Sequence, residues 1–214
     1  MIVVENATKN FKDYKALDTI SVTFDRGKIH GIVGRNGSGK TVLFKCICGF
    51  MPLTSGFISV AGKQIGKDVD IPQSVGIIIE TPGFLPNFSG YKNLKLLALI
   101  HKSIGDGQIR KTLEAVGLDP ASKKHVGKYS LGMRQRLGIA QAIMENPNLL
   151  ILDEPFNGLD KLGVAQMREL IKDLRDQGKT ILLASHNQGD IDELCDTVCE
   201  MDSGILTVLR TDKN

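Results

Sequence analysis

The chain has 214 residues, a length that suits one domain or one core carrying a smaller subdomain. Its lysines and arginines exceed its aspartates and glutamates by 27 − 24 = 3, so the net charge of +3 does not favour nucleic acid as a partner. Neither an apolar run of about eighteen residues nor a charged-then-apolar leader occurs. We therefore expect a chain that does not itself cross a membrane and is not exported by a signal peptide.

The four cysteines form two close pairs, Cys46 with Cys48 and Cys195 with Cys199. Side chains two residues apart on a helix diverge, and no histidine falls at a distance suited to a shared zinc ion. We therefore predict buried, reduced thiols in a cytosolic protein rather than a metal site.

The first predicted elements are strands over residues 2–8 and 17–24. The second alternates apolar and polar residues, which is typical of an antiparallel sheet with one solvated face. A polar turn over residues 10–14 joins them and carries two aromatic residues, Phe11 and Tyr14.

The next elements predict a phosphate-binding loop. Residues 29–33 form an apolar strand, and residues 42–48 form a helix that Gly49 ends. Between them the sequence matches the pattern Gly, four residues, Gly-Lys-Ser/Thr. In such a loop the backbone amides cradle a polyphosphate, the lysine binds the β- and γ-phosphates, and the threonine hydroxyl binds Mg²⁺. The residues predicted to bind a nucleoside triphosphate are Gly34, Arg35, Asn36, Gly37, Ser38, Gly39, Lys40, Thr41 and Val42.

Beyond the loop, strands are predicted over 56–60 and 74–79, followed by helices over 91–102 and 108–116. Ser130 is the predicted N-cap of a helix that runs to Met144. Because strand signals are missing between about Pro82 and Met144, we predict a helical subdomain inserted into an α/β core. The predicted boundaries within the single domain 1–214 are 1–81 and 147–214 for the core and 82–146 for the helical subdomain.

The last third of the chain predicts two buried parallel strands that end in polar residues. Residues 149–152 lead into Asp153 and Glu154, and residues 180–185 lead into His186. Ligands bind at this end of parallel strands. Helices over 162–177 and 191–195 and strands over 197–201 and 205–209 complete the prediction.

These polar residues are suited to the hydrolysis of a nucleoside triphosphate. Asp153 can hold Mg²⁺ through water, and Glu154 can polarise the attacking water. His186 either contacts the γ-phosphate or has a structural role, and the residues alone leave both open. Phe11 and Tyr14 either stack on the base or cover an edge of the core.

Five ordered motifs resemble those of the ATP-binding cassette (ABC) ATPases, and the match extends over essentially the whole chain. They are the phosphate loop, Ser130 to Arg136, Leu149 to Pro155, Asn157 to Asp160, and Ser185-His186. The resemblance implies an α/β fold of the P-loop NTPase type, with a RecA-like parallel core, an antiparallel β subdomain and an inserted helical subdomain.

The resemblance also implies roles for individual residues. Ser130 and Gly132 would face the γ-phosphate bound by a second cassette, and Asp160 would lie in a loop crossing the dimer interface. His186 would be the switch histidine, with Lys40 and Glu154 completing the catalytic set. Phe11, which precedes Lys40 by 40 − 11 = 29 positions, would stack on adenine, with Tyr14 as the alternative.

Three positions depart from the usual pattern of the family. Leu131 and Met133 stand where the signature normally has a glycine and a glutamine, and Glu80 replaces the glutamine coupled to the metal. Glu80 can still approach Mg²⁺, although its charge should repel the γ-phosphate when the metal is absent. These features look like those of bacitracin-resistance and lantibiotic-immunity exporters.

We therefore expect Mg-ATP hydrolysis coupled to the export of an antimicrobial peptide, drug or lipid-like cargo. The chain would dock from the cytoplasm on a separate membrane permease and pair with a second cassette, which we expect to be an identical copy. The alternative is an ABC-type ATP switch acting on a protein or nucleic-acid process. The missing coiled-coil insertion speaks against this alternative, and Glu154 speaks against a regulator that never hydrolyses ATP.

Overall fold

The computed structural model describes residues 1–80, 83–101 and 104–211. The strands are β1 Ile2–Phe11, β2 Tyr14–Phe24, β3 Ile29–Val33, β4 Ser55–Val60, β5 Lys63–Gln64, β6 Val75–Ile78, β7 Leu149–Asp153, β8 Thr180–Ala184, β9 Thr197–Asp202 and β10 Ile205–Arg210. The helices are α1 Lys40–Ile47, α2 Gly90–His101, α3 Asp106–Ala115, α4 Leu131–Ile143, α5 Lys161–Asp176 and α6 Gln188–Leu194. A 3-10 turn, Val126–Lys128, precedes α4.

The N-terminal strands form a four-stranded antiparallel sheet in the order β2-β1-β4-β5. The prediction of an antiparallel sheet is confirmed, but the turn predicted over residues 10–14 is too long. Strand β1 extends to Phe11 and β2 begins at Tyr14, and these two residues pair directly across the hairpin. The two-residue β5 was not predicted, because so short a strand has no periodic signal.

A six-stranded sheet in the order β10-β9-β3-β8-β7-β6 forms the centre of the fold. Strands β9, β3, β8, β7 and β6 are parallel, and the edge strand β10 runs antiparallel to its neighbour β9. The carboxyl ends of β3, β7 and β8 therefore meet at one edge of the sheet. This arrangement confirms the predicted parallel core.

Alternate residues of the central strands pack on opposite faces of this sheet. On one face, Ile151 and Leu182 pack with Phe44 of α1 and with the antiparallel sheet. On the other face, Leu150 and Leu183 belong to a cluster that also includes residues of helices α2 to α6. Helix α1 therefore lies between the two sheets, which fixes the position of its first residue, Lys40.

The helices between β6 and β7 share this second cluster with the sheet. Leu94 of α2, Leu113 of α3 and Leu137 of α4 are buried in the same continuous set of side chains as Leu152 of β7. The predicted helices are confirmed, including Ser130 as the N-cap of α4. The predicted ends of the first helix, at Lys102, and of the core segment, at residue 81, lie outside the described residues. The boundary between the two predicted subdomains stays a prediction.

All four cysteines are buried. Burial raises the pKa of the Cys46 and Cys199 thiols to about 11 and that of Cys48 to about 12. Across the described parts of the chain, three or more His, Cys, Asp or Glu side chains nowhere assemble into a metal site. Among these same residues, the helices lack the combined length and apolar character needed to span a bilayer.

Strand β3 contains a buried histidine with a defined tautomer. Nε2 of His30 lies 2.9 Å from the carbonyl oxygen of Asp25, which can only accept, so this nitrogen donates. Nδ1 lies 2.7 Å from the hydroxyl of Thr197 and accepts from it. Burial lowers the pKa of His30, and although Asp25 and Asp196 oppose this shift, Lys28 adds to it.

We predict that His30 makes the fold sensitive to mild acid. Because the pKa is lower in the folded chain, its stability contribution is complete above about pH 6.5, the unfolded value, and is lost as the pH falls through the folded value. His30→Gln should therefore flatten the decline in the free energy of unfolding between pH 7 and 5, measured in urea. His125→Gln, at an exposed site, is the control. An unchanged decline in His30→Gln would contradict the prediction.

Candidate nucleotide-binding site

The loop between β3 and α1 curls so tightly that two of its glycines leave no room for a side chain. Gly34 has a φ of +146°, and a Cβ there would lie 2.2 Å from the carbonyl oxygen of Met201. Gly39 has a φ of +115° and precedes the first residue of α1, and its Cβ would lie 2.6 Å from the carbonyl oxygen of Ala16. The pattern of glycines thus follows from backbone geometry.

Backbone contacts with two hairpins hold the other side of the loop. The amide of Gly204, in the turn between β9 and β10, donates to the carbonyl oxygen of Ser38 at 2.9 Å. The carbonyl oxygen of Gly204 in turn accepts from the amide of Asp18 in β2 at 2.8 Å. The turn between β9 and β10 therefore holds the loop directly, and β2 holds that turn.

Two side chains of the loop present donors that suit phosphate oxygens. The ammonium group of Lys40 donates to the carbonyl oxygens of Gly34 and Arg35, at 2.7 and 3.0 Å. The hydroxyl of Ser38 is buried and has no hydrogen-bond partner among the described residues. An unsatisfied buried hydroxyl is unfavourable in the chain alone, and a phosphate oxygen would satisfy it. The loop residues thus fit a polyphosphate.

Two of the three predicted metal ligands, Thr41 and Asp153, are in contact. The Thr41 hydroxyl, at the start of α1, donates to Oδ2 of Asp153 at the end of β7 over 2.7 Å. Hydroxyl and carboxylate oxygens are the donors that Mg²⁺ prefers, and Mg²⁺ takes its remaining ligands from water and phosphates. The pair therefore fits Mg²⁺ without a larger cluster of acidic residues.

Glu154 follows Asp153 in an unusual backbone conformation. Its φ is +51°, a left-handed conformation that costs a residue other than glycine about 1–3 kcal/mol. Its amide donates to the carbonyl oxygen of Ala184 in β8 at 2.9 Å, and its own carbonyl accepts from Nε2 of Gln135 at 3.2 Å. Its Oε2 lies 2.8 Å from Nδ1 of His186, so the predicted base and histidine are in direct contact.

A cavity of about 540 Å³ brings part of the set of predicted residues together. Its wall includes nine of them, namely Asn36, Gly37, Gly39, Lys40, Thr41, Val42, Glu80, Asp153 and Glu154. Tyr14, Ala16, Leu131, Arg134, Gln135 and Asn157 complete the wall. The remaining predicted residues lie outside this wall and are Phe11, Gly34, Arg35, Ser38, Ser130, Gly132, Asp160 and His186.

The two N-terminal aromatic residues stack on one another beside the cavity. Their ring centroids are 5.4 Å apart, with an angle of 20° between the planes. Tyr14 is 61% exposed and lines the cavity, while Phe11 lies against Tyr14 and under the ammonium group of Lys9. Tyr14, which was predicted as the alternative, therefore lines the cavity. The stacking of adenine on Phe11 stays a prediction.

The residues assigned to a dimer interface have contacts within the chain itself. The Ser130 hydroxyl accepts from the amide of Met133, and a Cβ at Gly132 would lie 2.8 Å from the carbonyl oxygen of Gly158. Asp160 is the N-cap of α5 and accepts from the amide of Gly163 at 2.8 Å. Their predicted contacts with a second chain stay predictions.

Lys45 and Gln135 contact site residues but were not predicted from the sequence. Lys45 forms an ion pair with Glu80 at 2.7 Å, and Gln135 contacts Glu154 as described above. Helical spacing was the available signal, because residues four apart share a face. Lys45 lies four residues after Thr41, and Gln135 lies four after Leu131, which lines the cavity.

The parallel sheet, the glycine loop at the start of α1 and the acidic residues at the end of β7 together define a P-loop NTPase. Comparison with known proteins identifies the family within this class. The family model described as ABC transporter matches residues 17–157, about two thirds of the chain, and the chain belongs to that family.

Three of the curated relatives are named as transporter or transport ATP-binding proteins. The chain is 45% identical over 206 residues to an uncharacterised ABC transporter ATP-binding protein, YybJ, of Bacillus subtilis, covering 96% of this chain and 94% of the relative. It is 40% identical to the bacitracin transport ATP-binding protein BcrA of Enterococcus faecalis, over 96% of this chain and 68% of the relative. It is 35% identical to the lantibiotic transport ATP-binding protein SrtF of Streptococcus pyogenes, over 92% and 85%.

Solved structures confirm the fold class. The ABC transporter cassette MJ0796, described as dimeric, superposes with a TM-score of 0.87 at 22% identity, covering 99% of this chain and all of that one. An ATP-binding subunit of an ABC transporter gives a TM-score of 0.86 at 25% identity, over 98% of this chain and 90% of that one. The chain is thus an ATP-binding subunit of the ABC transporter family.

We predict that Gly34 and Gly37 of the phosphate loop differ in their tolerance of alanine. Gly34→Ala should lower the free energy of unfolding in urea by more than about 2 kcal/mol, because its Cβ meets a carbonyl oxygen and its φ is positive. Gly37 also has a positive φ but has open space around a Cβ, so Gly37→Ala should cost only about 1 kcal/mol. Equal losses in the two variants would contradict the steric explanation.

Proposed function

We propose that the chain hydrolyses Mg-ATP in this cavity and powers transport through a separate membrane permease. The observation that carries the proposal is the 2.7 Å hydrogen bond from Thr41 to Asp153. It joins the phosphate loop to the acidic strand end, where Glu154 follows directly. The cavity thus combines residues for holding a triphosphate with a carboxylate suited to activating water.

Each residue has a defined task in this proposal. The loop amides and the start of α1 face the phosphates, where the helix dipole favours negative charge. Lys40 and Ser38 donate to phosphate oxygens. When bound, Mg²⁺ neutralises phosphate charge, and Thr41, Asp153 and Glu80 are the residues that would hold it. Lys45 balances the additional charge that Glu80 introduces.

Glu154 and His186 act on the attacking water. The carboxylate of Glu154 accepts a proton from water, and the imidazole of His186 orients this carboxylate and contacts the γ-phosphate. The left-handed backbone of Glu154 aims the side chain into the cavity. For the nucleoside, we propose that the stacked Phe11 and Tyr14 receive adenine, with Tyr14 at the cavity wall.

We further propose that two copies of the chain close around ATP head to tail. In this arrangement Ser130 and Gly132, at the start of α4, complete the partner's site, and Asp160 lies at the interface. ATP contacts that span the interface favour the closed dimer, and hydrolysis releases it. A solved structure of the same fold is described as dimeric, which favours the pairing of two copies.

Transport requires a membrane partner, which we place on the helical subdomain, residues 82–146. Helix α2 exposes the apolar side chains of Leu96, Leu99 and Ile100, and Leu85 is exposed just before it. Such a patch suits docking at the cytoplasmic face of a membrane protein. The relatives named for bacitracin and lantibiotic transport favour export of a peptide antibiotic.

Glu154→Gln tests the function. The purified chain should hydrolyse ATP only with Mg²⁺, and Glu154→Gln should reduce the rate by about 100-fold or more, because the amide cannot accept the proton. The variant should also elute as a dimer in Mg-ATP during size-exclusion chromatography. Glu114→Gln, the same acid-to-amide change at an exposed position of α3, is the control and should behave like the parent.

Other outcomes would lead to different conclusions. Equal ATPase rates in the parent and Glu154→Gln would exclude Glu154 as the base. If both were inactive and monomeric, the active unit would require a different second cassette or the permease itself.

We predict opposite effects of Ser38→Ala on folding and on nucleotide binding. Removing a buried, unpaired hydroxyl should leave the free energy of unfolding of the nucleotide-free chain unchanged or raise it by about 1 kcal/mol. The same change should weaken ATP binding by about tenfold or more, measured by calorimetry, because a hydrogen bond to a charged phosphate is lost. Ser59→Ala, in β4, is the control for binding. Unchanged ATP affinity in Ser38→Ala would contradict the assigned role.

A further inference from the structure

The turn that carries His186 is fixed on both sides of this residue. Ser185, just after β8, is buried, and its hydroxyl donates to Oδ2 of Asp190 at 2.8 Å and accepts from the amide of Asn187 at 3.1 Å. The Asn187 side chain caps α6 by accepting from the amide of Gly189 at 2.9 Å. The backbone on either side of His186 therefore has little freedom.

Asp190 is the centre of this arrangement and is only 2% exposed. Its Oδ1 accepts from Nε and Nη2 of Arg168 on α5, at 3.0 and 2.5 Å, while Oδ2 accepts from Ser185. Arg168 also contacts Glu193, which Lys172 contacts in turn at 2.9 Å. Both carboxylate oxygens of Asp190 are thus used, one for helix α5 and one for the turn.

The imidazole of His186, in contrast, is largely outside the packed core. Its side chain is 69% exposed, yet Nδ1 lies 2.8 Å from Oε2 of Glu154. The direction of an exposed ring is set mainly by the backbone that carries it. A buried ion pair is weak evidence for stability alone, because desolvation offsets the attraction between the charges. The ion pair between Arg168 and Asp190 is therefore better explained by its effect on the position of this turn than by its effect on stability.

We propose that Asp190, held by Arg168, is a positioning residue that fixes the turn so that His186 meets Glu154. The proposal rests on the proposed ATPase function and adds to it two residues outside the cavity wall. The neutral amide introduced by Asp190→Asn would weaken the contact with Arg168 and leave the turn free to shift. His186 would then spend less time against Glu154, and hydrolysis would slow without a change in ATP binding.

The first measurement compares Asp190→Asn with the parent in ATP hydrolysis and ATP binding. We expect kcat to fall by about tenfold, with the Kd for ATP within about twofold of the parent value. Glu169→Gln is the matched control, because it is an acid-to-amide change one residue along from Arg168, at a carboxylate that is 68% exposed. It should leave both quantities unchanged. An unchanged kcat in Asp190→Asn would overturn the proposal.

A double variant separates positioning from a general structural role. If Asp190 acts through His186, then Asp190→Asn should reduce kcat by less than about twofold when His186→Ala is already present. If Asp190 only stabilises the fold, the two losses should multiply, and the proposal fails. Should Asp190→Asn not fold, as judged by circular dichroism, Ser185→Ala replaces it in the same cycle, because it removes the contacts of Ser185 with Asp190 and Asn187 and keeps the ion pair between Asp190 and Arg168.

A second readout does not depend on activity. In nuclear magnetic resonance spectra of the nucleotide-free chain, the imidazole signals of His186, assigned with His186→Gln, should shift in Asp190→Asn and stay in place in Glu169→Gln. Unmoved signals would overturn the proposal. If the parent shows no hydrolysis sensitive to Glu154→Gln, the proposed function fails, and these spectra still decide whether Asp190 positions His186.

Discussion

The parallel pairing of β3, β7 and β8 is the constraint on which the site depends. This pairing brings the start of the phosphate loop, Asp153 and His186 to one edge of the sheet. The hydrogen bond from the amide of Glu154 to the carbonyl of Ala184 extends the pairing by one residue beyond the strand. Because side chains alternate along each strand, the same register buries Ile151 and Leu182 against α1, which holds Lys40 in place. Core packing and site geometry therefore have one origin.

The parts of the site that the sequence predicted are those encoded by local patterns. Glycine spacing, an apolar strand ending in two acids, and a serine before a helix each report on the backbone within a few residues. The contacts that it did not predict join distant elements, as in Lys45 with Glu80, Gln135 with Glu154, and Arg168 with Asp190. Helical spacing places Lys45 and Gln135 on the faces that carry Thr41 and Leu131, but the residues that they contact depend on how the helices pack on the sheet. The stacking of Phe11 on Tyr14 follows from the tight hairpin, whose length the turn residues did not indicate.

The unusual residues of the signature and of the metal-coupled position have local partners. Leu131 lies against Gly158, where a Cβ would be only 2.4 Å from the leucine side chain, and Met133 contacts the ammonium group of Lys124. Glu80 is paired with Lys45. The N-cap of α4 is formed by Ser130 despite both replacements in the signature. These departures are therefore accommodated by neighbouring residues, with the N-cap of α4 retained and Glu80 paired with a cation.

The main-chain contacts of the phosphate loop with β2 and with the turn between β9 and β10 affect how this chain can diverge. Carbonyl and amide groups are common to nearly all residues, so many side chains in these two hairpins can be exchanged while the contacts of Ser38 and Gly39 persist. An insertion or deletion near Gly204 is different, because it moves the main-chain groups themselves. Related chains should accordingly vary in amino-acid composition at these two hairpins, while the lengths of the hairpins stay the same. A loop graft or an epitope tag inserted there would displace the main-chain groups that hold the phosphate loop.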